Sequence, residues 1–195
     1  MKKLYLFDFD GTLTYQDTMF LFLKYYNPEK YFWSFMKHIP VFILVKLKLM
    51  DAELVKKSFI ASILKCEREI KINRKVISFF EEFYPQIIRK SALDFLETID
   101  RNHTTCYLVT ASLDIWVKPF AKKMGMILLS TEAKFIDGVY TGDFNTKNNN
   151  GEEKVKRIKA QISNEKFDKI IAFGDTSGDK PMLSFAHEGH FQFFN

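Results

Sequence analysis

The residues best suited to chemistry are two pairs of aspartates. Asp8 and Asp10 lie two apart in Asp8-Phe9-Asp10-Gly11-Thr12, directly after the apolar run Leu4–Phe7. A loop at that point can bring both carboxylates to one mouth. Close carboxylates repel, and a divalent cation relieves the repulsion. Mg²⁺ takes oxygen ligands, usually one or two carboxylates with water and a substrate phosphate. The same spacing also occurs in solvated acidic turns, so this pair alone does not decide. Asp175 and Asp179 form the second pair, in Gly174-Asp175-Thr176-Ser177-Gly178-Asp179. Asp175 can supply a further metal ligand. Asp179, near a helix start, can orient the metal's surroundings; its simpler use is to cap the helix that begins at Pro181-Met182-Leu183.

Phosphoryl transfer also needs positive charge and hydrogen-bond donors around the equatorial oxygens. Thr110, in Leu108-Val109-Thr110-Ala111-Ser112, and the amides after it are placed to donate. Three lysines compete for the cationic role. Lys154 falls in the first turn of a predicted helix behind Asn148-Asn149-Asn150-Gly151, with Lys147 and Lys156 on either side.

The elements that must position these groups are short apolar strands. Leu4–Phe7, Thr105–Val109 and Ile170–Phe173 read as strands buried on both faces of a parallel sheet. Each runs straight into one of the polar clusters. Ligands of parallel α/β sheets bind beyond the carboxyl ends of the strands, so three clusters at three strand ends define one site. Helical spacing is seen over Ser112–Met124, stopped by Gly125, and over Gly151–Ser163. Met126–Leu129 is a further strand candidate, and Lys134–Phe144, with Asp137-Gly138 at its centre, reads as a β-hairpin. Between the first strand and the rest lies a block with no strand-like alternation. Its predicted helices are Asp17–Tyr26, Pro28–Met50 (interrupted near Pro40), Asp51–Cys66 and Asn73–Phe83, with Asp51 as an N-cap. The expected fold is therefore α/β: a Rossmann-like parallel sheet core flanked by helices, residues 1–14 and 91–195, with an inserted all-helical cap, residues 15–90.

Taken together, these motifs resemble the haloacid dehalogenase superfamily of phosphatases. Its first motif, DxDxT, is Asp8 to Thr12. Its second, a strand ending in Ser or Thr, is Leu108-Val109-Thr110. Its lysine is best matched by Lys154, and its GDxxxD by Gly174 to Asp179. The resemblance implies that Asp8 attacks phosphorus to form an aspartyl-phosphate, and that Asp10 protonates the leaving oxygen and then activates water. It further implies that Asp8, Asp10 through its backbone carbonyl, and Asp175 hold Mg²⁺, and that Thr110 and Lys154 bind the phosphoryl oxygens. A helical insert between the first two motifs is similar to the cap of the phosphoserine phosphatase branch. Asp17 falls where those enzymes carry an acidic residue that reads the substrate amine. They also use a cap arginine for the substrate carboxylate, whereas no arginine occurs here between Asp8 and Arg68. The aromatic cap, Trp116 and the Gly151-Glu152-Glu153-Lys154 segment are similar to phosphatidylglycerophosphatase-like members. The leading expectation is Mg²⁺-dependent hydrolysis of a small phosphorylated metabolite. The alternatives are a lipid-phosphate phosphatase at the membrane face and a non-catalytic Mg²⁺- or phosphate-binding module. Phosphotransferases and mutases share this machinery.

Composition sets the outer bounds. In 195 residues, 47% of them apolar, a full core with a modest insertion can form. The net charge of +5 fits an anionic substrate or surface, but no Lys/Arg-rich run or zinc-ligand spacing points to nucleic acid. Cys66 and Cys106 form no CxxC and read as reduced, partly buried thiols. The first residues hold too short an apolar run for a signal peptide, so a cytoplasmic location is expected. The greasiest stretch, Tyr31–Met50, is broken by charge and by Pro40 and falls short of the about 20 apolar residues of a membrane span. Peripheral contact with an anionic membrane, aided by Lys37, Lys46 and Lys48, stays open. Oligomeric state is not legible.

Overall fold

The computed structural model describes residues 1–194. In chain order the elements are β1 (Lys3–Phe7), α1 (Thr18–Tyr26), α2 (Pro28–Lys46), α3 (Ala52–Leu64), α4 (Glu69–Phe83), α5 (Lys90–Glu97), β2 (Thr104–Leu113), α6 (Asp114–Lys123), β3 (Ile127–Thr131), β4 (Ala133–Ile136), β5 (Val139–Phe144), α7 (Glu152–Gln161), β6 (Lys169–Gly174), a 3₁₀ turn (Ser177–Asp179), α8 (Lys180–Phe185) and β7 (Glu188–Phe191). Five strands form one parallel sheet in the order β3-β2-β1-β6-β7, and β4-β5 is a separate antiparallel hairpin.

The central position of β1 explains why Leu4, Leu6 and Phe7 are apolar. Leu4 and Leu6 face one side, against Tyr107, Val109, Ile158 and Met182. Phe7 faces the other, the side that merges with the cap. Alternating side chains of a strand covered on both faces must all be apolar. Phe7 stands opposite Leu108 of β2 and Phe173 of β6 in register, so the pairing of β1 with both neighbours stops at one level. The Phe7 and Phe173 rings stack at 5.0 Å, with Phe95, Phe193 and Phe194 packed around Phe173.

Helices α1 to α4 form the cap, as expected from the insert. Phe22 is its pivot, stacked on Trp116 of α6 at 5.4 Å and edge-on to Phe79 of α4. Asp51 caps α3 by accepting from the Leu54 amide. The hairpin, grouped with the core by the division drawn from sequence, makes backbone hydrogen bonds to the cap: the Cys66 amide to Tyr140, the Tyr140 amide to Glu67, and the Glu69 amide to Gly138.

Several sequence expectations need correction. The helix over Pro28–Met50 is not interrupted at Pro40; α2 runs unbroken to Lys46 with Pro40 inside it. Pro40 is exposed, so the Met36 carbonyl that loses its helical partner can be hydrated. Helix α4 begins at Glu69 rather than Asn73, and β2 runs four residues past Val109, so that α6 starts at Asp114 instead of Ser112. Helix α5 and the edge strand β7 were not foreseen. Cys66 is exposed rather than partly buried, because it turns the chain out of α3 at a left-handed φ of 66°; Cys106 is buried. No helix among the described residues is long and apolar enough to cross a membrane.

Phe173 lies at the junction of β6 with the aromatic cluster and is 1% exposed. Phe173→Ala should lower unfolding stability by about 3–5 kcal/mol, read as a shifted urea midpoint with an unchanged slope.

Candidate active site

Asp8 follows β1 immediately. Its amide donates to the Phe173 carbonyl at 2.9 Å, which ties the strand tip to β6 and fixes where the side chain emerges. The carboxylate is buried. Its Oδ1 accepts from Lys154 Nζ at 2.6 Å, and its Oδ2 from the Thr12 hydroxyl at 3.1 Å. Lys154 comes from the first turn of α7, behind a loop pinned by the Gly151 amide donating to the Gly178 carbonyl at 3.0 Å. The competitors Lys147 and Lys156 are not among the residues lining the site, so Lys154 is the lysine the fold brings to Asp8.

Lys154 is 1% exposed and divides its ammonium between two carboxylates, Asp8 and Asp179, each at 2.6 Å. Burial alone would lower its pKa, but the two carboxylates outweigh that and raise it, so it stays charged. Asp179 uses its other oxygen on its own turn, accepting from the Thr176 amide and hydroxyl at 2.9 and 2.8 Å and from the Asp175 amide at 3.2 Å. It makes no side-chain cap on α8, contrary to the simpler use open in the sequence. Burial works against its charge, but Lys154 and these donors hold it below the usual carboxylate range. Asp8 has only half of one ammonium. Burial, with Asp179 and Asp10 nearby, pushes it up to about 7 despite Lys154.

Asp10 is held differently. Its Oδ1 accepts from both the amide and the hydroxyl of Thr18, each at 2.6 Å, and its Oδ2 from the Ser112 hydroxyl. Thr18 opens α1, and its hydroxyl oxygen also accepts from Trp116 Nε1 at 3.2 Å. Ser112 reaches Asp10 because β2 extends beyond its pairing with β1. Thr110, on the same extension, is buried beside Asp8, with its oxygen accepting from the Ser112 amide at 3.0 Å. Asp175 joins the cluster through Thr12, whose hydroxyl lies 2.9 Å from its Oδ1. Burial raises the Asp175 carboxyl, and the Thr12 bond opposes the rise. The backbone passes Asp175 at Gly11, φ 82°, where a Cβ would sit 2.3 Å from Oδ2. Only glycine suits that position on both counts.

These groups border one cavity of about 410 Å³. Asp8, Asp10, Thr110, Ser112, Lys154 and Asp179 line one side, while Met19, Phe20, Phe42, Val45, Ala52 and Val55 of the cap line the other. Asp17 stands at the mouth. It caps α1, accepting from Met19 at 2.9 Å, and loss of solvent and the Asp10 charge push its carboxyl up to about 6. Lys56 of α3 enters the same cavity and was missed by sequence reasoning. It donates to the Ala111 carbonyl at 2.6 Å, and burial lowers its pKa against the pull of Asp10 and Asp17. One lysine within Leu54-Val55-Lys56-Lys57 carries no spacing signal that could have marked it. Ser112 falls in the polar cluster after Val109, but a strand ending at Val109 does not foretell its bond to Asp10.

Asp8, Asp175 and Asp179 each offer a carboxylate oxygen within 4.8 Å of the others. Asp179 accepts four hydrogen bonds, whereas Asp8 accepts two and Asp175 one, so Asp8 and Asp175 are the pair with more lone pairs to spare. Five carboxylates, counting Asp10 and Asp17, face two ammonium groups. That excess of anionic oxygen fits a hard divalent cation.

The chain belongs to the haloacid dehalogenase-like hydrolase family, whose model matches residues 5–184. It is 30% identical to Protein CicA of Caulobacter vibrioides over 190 residues, 96% of this chain and 85% of that one. The fold superposes at a TM-score of 0.84 on a protein of unknown function from Bordetella pertussis Tohama I, with 19% identity over 98% of this chain and 89% of the other. It also superposes at 0.65, with 20% identity over 97% and 85% of the two chains, on a phosphoserine phosphatase solved as a phospho-aspartyl intermediate analogue.

The raised Asp8 carboxyl has a consequence for stability. A buried acid that ionises less readily than in the unfolded chain costs stability as pH climbs through its folded pKa, here about 7. In EDTA, wild type should therefore melt lower at about pH 8 than at about pH 5 relative to Asp8→Asn. Mg²⁺ should raise the wild-type melting temperature and leave Asp8→Asn nearly unmoved. Calorimetry of both proteins at the two pH values, with and without the metal, checks this.

Proposed function

We propose that this hydrolase is a Mg²⁺-dependent phosphatase that cleaves phosphate monoesters through an aspartyl-phosphate on Asp8, with residues 1–14 and 91–195 as catalytic core and 15–90 as cap. One observation carries the reading: Asp8 and Asp10 face the same cavity from one loop after β1, one carboxylate held by a buried ammonium and the other by two hydroxyls and an amide.

The two aspartates then have separate tasks. Asp8 is an oxygen nucleophile whose attack on phosphorus is in line with the departing ester oxygen. Asp10, oriented by Thr18 and Ser112, delivers a proton to that oxygen. In the second half it takes a proton from the water that attacks the phosphoryl group, which frees phosphate and restores Asp8. Lys154 and Thr110 hold the phosphoryl oxygens, and Asp179 keeps Lys154 in place and charged. Asp8, the Asp10 carbonyl and Asp175 would bind Mg²⁺, which supplies positive charge to the phosphoryl oxygens.

The substrate class follows from the opposite wall. A small phosphorylated metabolite is the general reading. The side that would receive its leaving group is mostly apolar, with Lys56 and Asp17 as the charged groups there. No arginine projects from the cap segment up to Arg68, so an amino-acid phosphate would find few partners. A lipid-like phosphate, with an apolar body, matches that wall better. A Mg²⁺- or phosphate-binding module that does not turn over would need no acid/base at Asp10.

Hydrolysis of p-nitrophenyl phosphate should therefore require Mg²⁺ and cease in EDTA. Asp8→Asn should abolish it, and Asp10→Asn should lower kcat by about 10²–10⁴. Steady-state assays decide, and undiminished turnover in Asp8→Asn would contradict the assignment.

A further inference from the structure

We propose that the solvent face of α2 and the turn into α3 form a docking surface for anionic lipid bilayers. Trp33, Met36, Ile43 and Leu47 recur at helical spacing along α2, and all are exposed, Trp33 at 59%. The turn continues the patch with Leu49, 70% exposed, and the start of α3 adds Leu54. A contiguous apolar surface of this extent marks an interaction site rather than a solvated face. The other side of α2 is apolar too: Phe35 and Phe42 pack on Phe20 and Phe59 of the cap. Packing within this chain thus accounts for one side of the helix only.

Charge identifies the occupant. From Lys30 to Met50 the chain has four lysines and no acidic residue. Lys30 is spent on Glu67. Lys37, Lys46 and Lys48 are exposed and have no carboxylate partner among the described residues. Lysines beside exposed tryptophan and leucine suit the head-group boundary of an anionic membrane, where the rings and chains enter and the ammonium groups stay among phosphates. A second copy of the chain would set the same lysines against each other.

The surface adjoins the catalytic cavity, because α2 also supplies Phe42 and Val45 to its wall. If the phosphatase reading above holds, a docked molecule would take phosphate from an amphiphile whose apolar body lies in the bilayer. The docking itself does not rest on that reading.

Trp33 is a built-in probe, since the other tryptophan, Trp116, is fully buried. Vesicles of phosphatidylcholine with roughly one third phosphatidylglycerol should shift Trp33 emission to the blue, and phosphatidylcholine alone should not. Trp33→Phe should lose the shift. Lys46→Ala with Lys48→Ala should weaken co-sedimentation about 25-fold, from roughly fivefold per lysine. Leu47→Ser with Leu49→Ser should abolish co-sedimentation while p-nitrophenyl phosphate hydrolysis stays at the wild-type rate. An unshifted Trp33 spectrum with anionic vesicles would overturn the proposal, as would a dimer in gel filtration that the leucine variant dissolves. Vesicle binding without any phosphatase activity would refute the catalytic reading and leave the docking surface standing.

Discussion

The site rests on one ammonium group. Lys154 is buried where water cannot screen it and is shared by Asp8 and Asp179 at equal distance. Taking such a charge out of water is costly unless it is paired and hydrogen-bonded, and losing a partner from a buried pair costs about 3–5 kcal/mol. Each surrounding feature follows from that constraint. Asp179 must be ionised, so its second oxygen is surrounded by donors from its own turn. Asp8 is left under-compensated, so its charge is disfavoured until further positive charge arrives. That shortage of positive charge at Asp8 is what the proposed cation and phosphate chemistry would use.

The sheet brings these groups together by ending the pairing of β1 with β2 and with β6 at one level. Register places Phe7, Leu108 and Phe173 side by side, so the residues that follow each of them meet at one edge. The overrun of β2 carries Thr110 and Ser112 further out, and Ser112 meets Asp10 there. Asp10 also binds the first residue of cap helix α1, and that residue accepts from Trp116 of the core. The proposed acid/base is therefore oriented from the core and the cap at once. Any displacement of α1 would re-aim Asp10, and Lys56 makes a second bridge from the cap by donating to Ala111.

Much of this was legible because catalytic loops leave short strands at predictable points. Unbroken apolar runs leading into Asp8, Thr110 and Gly174-Asp175 located the sheet edge, and the insert read as helical because it has no strand-like alternation. What escaped depends on tertiary surroundings. Helix α2 survives Pro40 because that residue faces solvent. Strand β2 outruns its apolar stretch because β3 pairs with it as far as Leu113. Edge strand β7, with its Glu188-Gly189-His190 start, has no pattern of its own and is held by β6. Lys56 looks like an ordinary surface residue in sequence, and only the folded cap makes it part of the site. The partner of Ser112, Asp10, follows from the long strand. The choice among Lys147, Lys154 and Lys156 likewise required the helix to be built, since one turn decides which lysine points inward.

The claim on which the account turns is that Asp8 forms the bond to phosphorus. Borohydride quenching during turnover, followed by peptide mass spectrometry, reads it directly, because reduction of an acyl-phosphate converts that aspartate to homoserine. The account predicts homoserine at position 8, dependent on both substrate and Mg²⁺. Steady turnover with every aspartate intact, or with the conversion at Asp10 or Asp175, would contradict it.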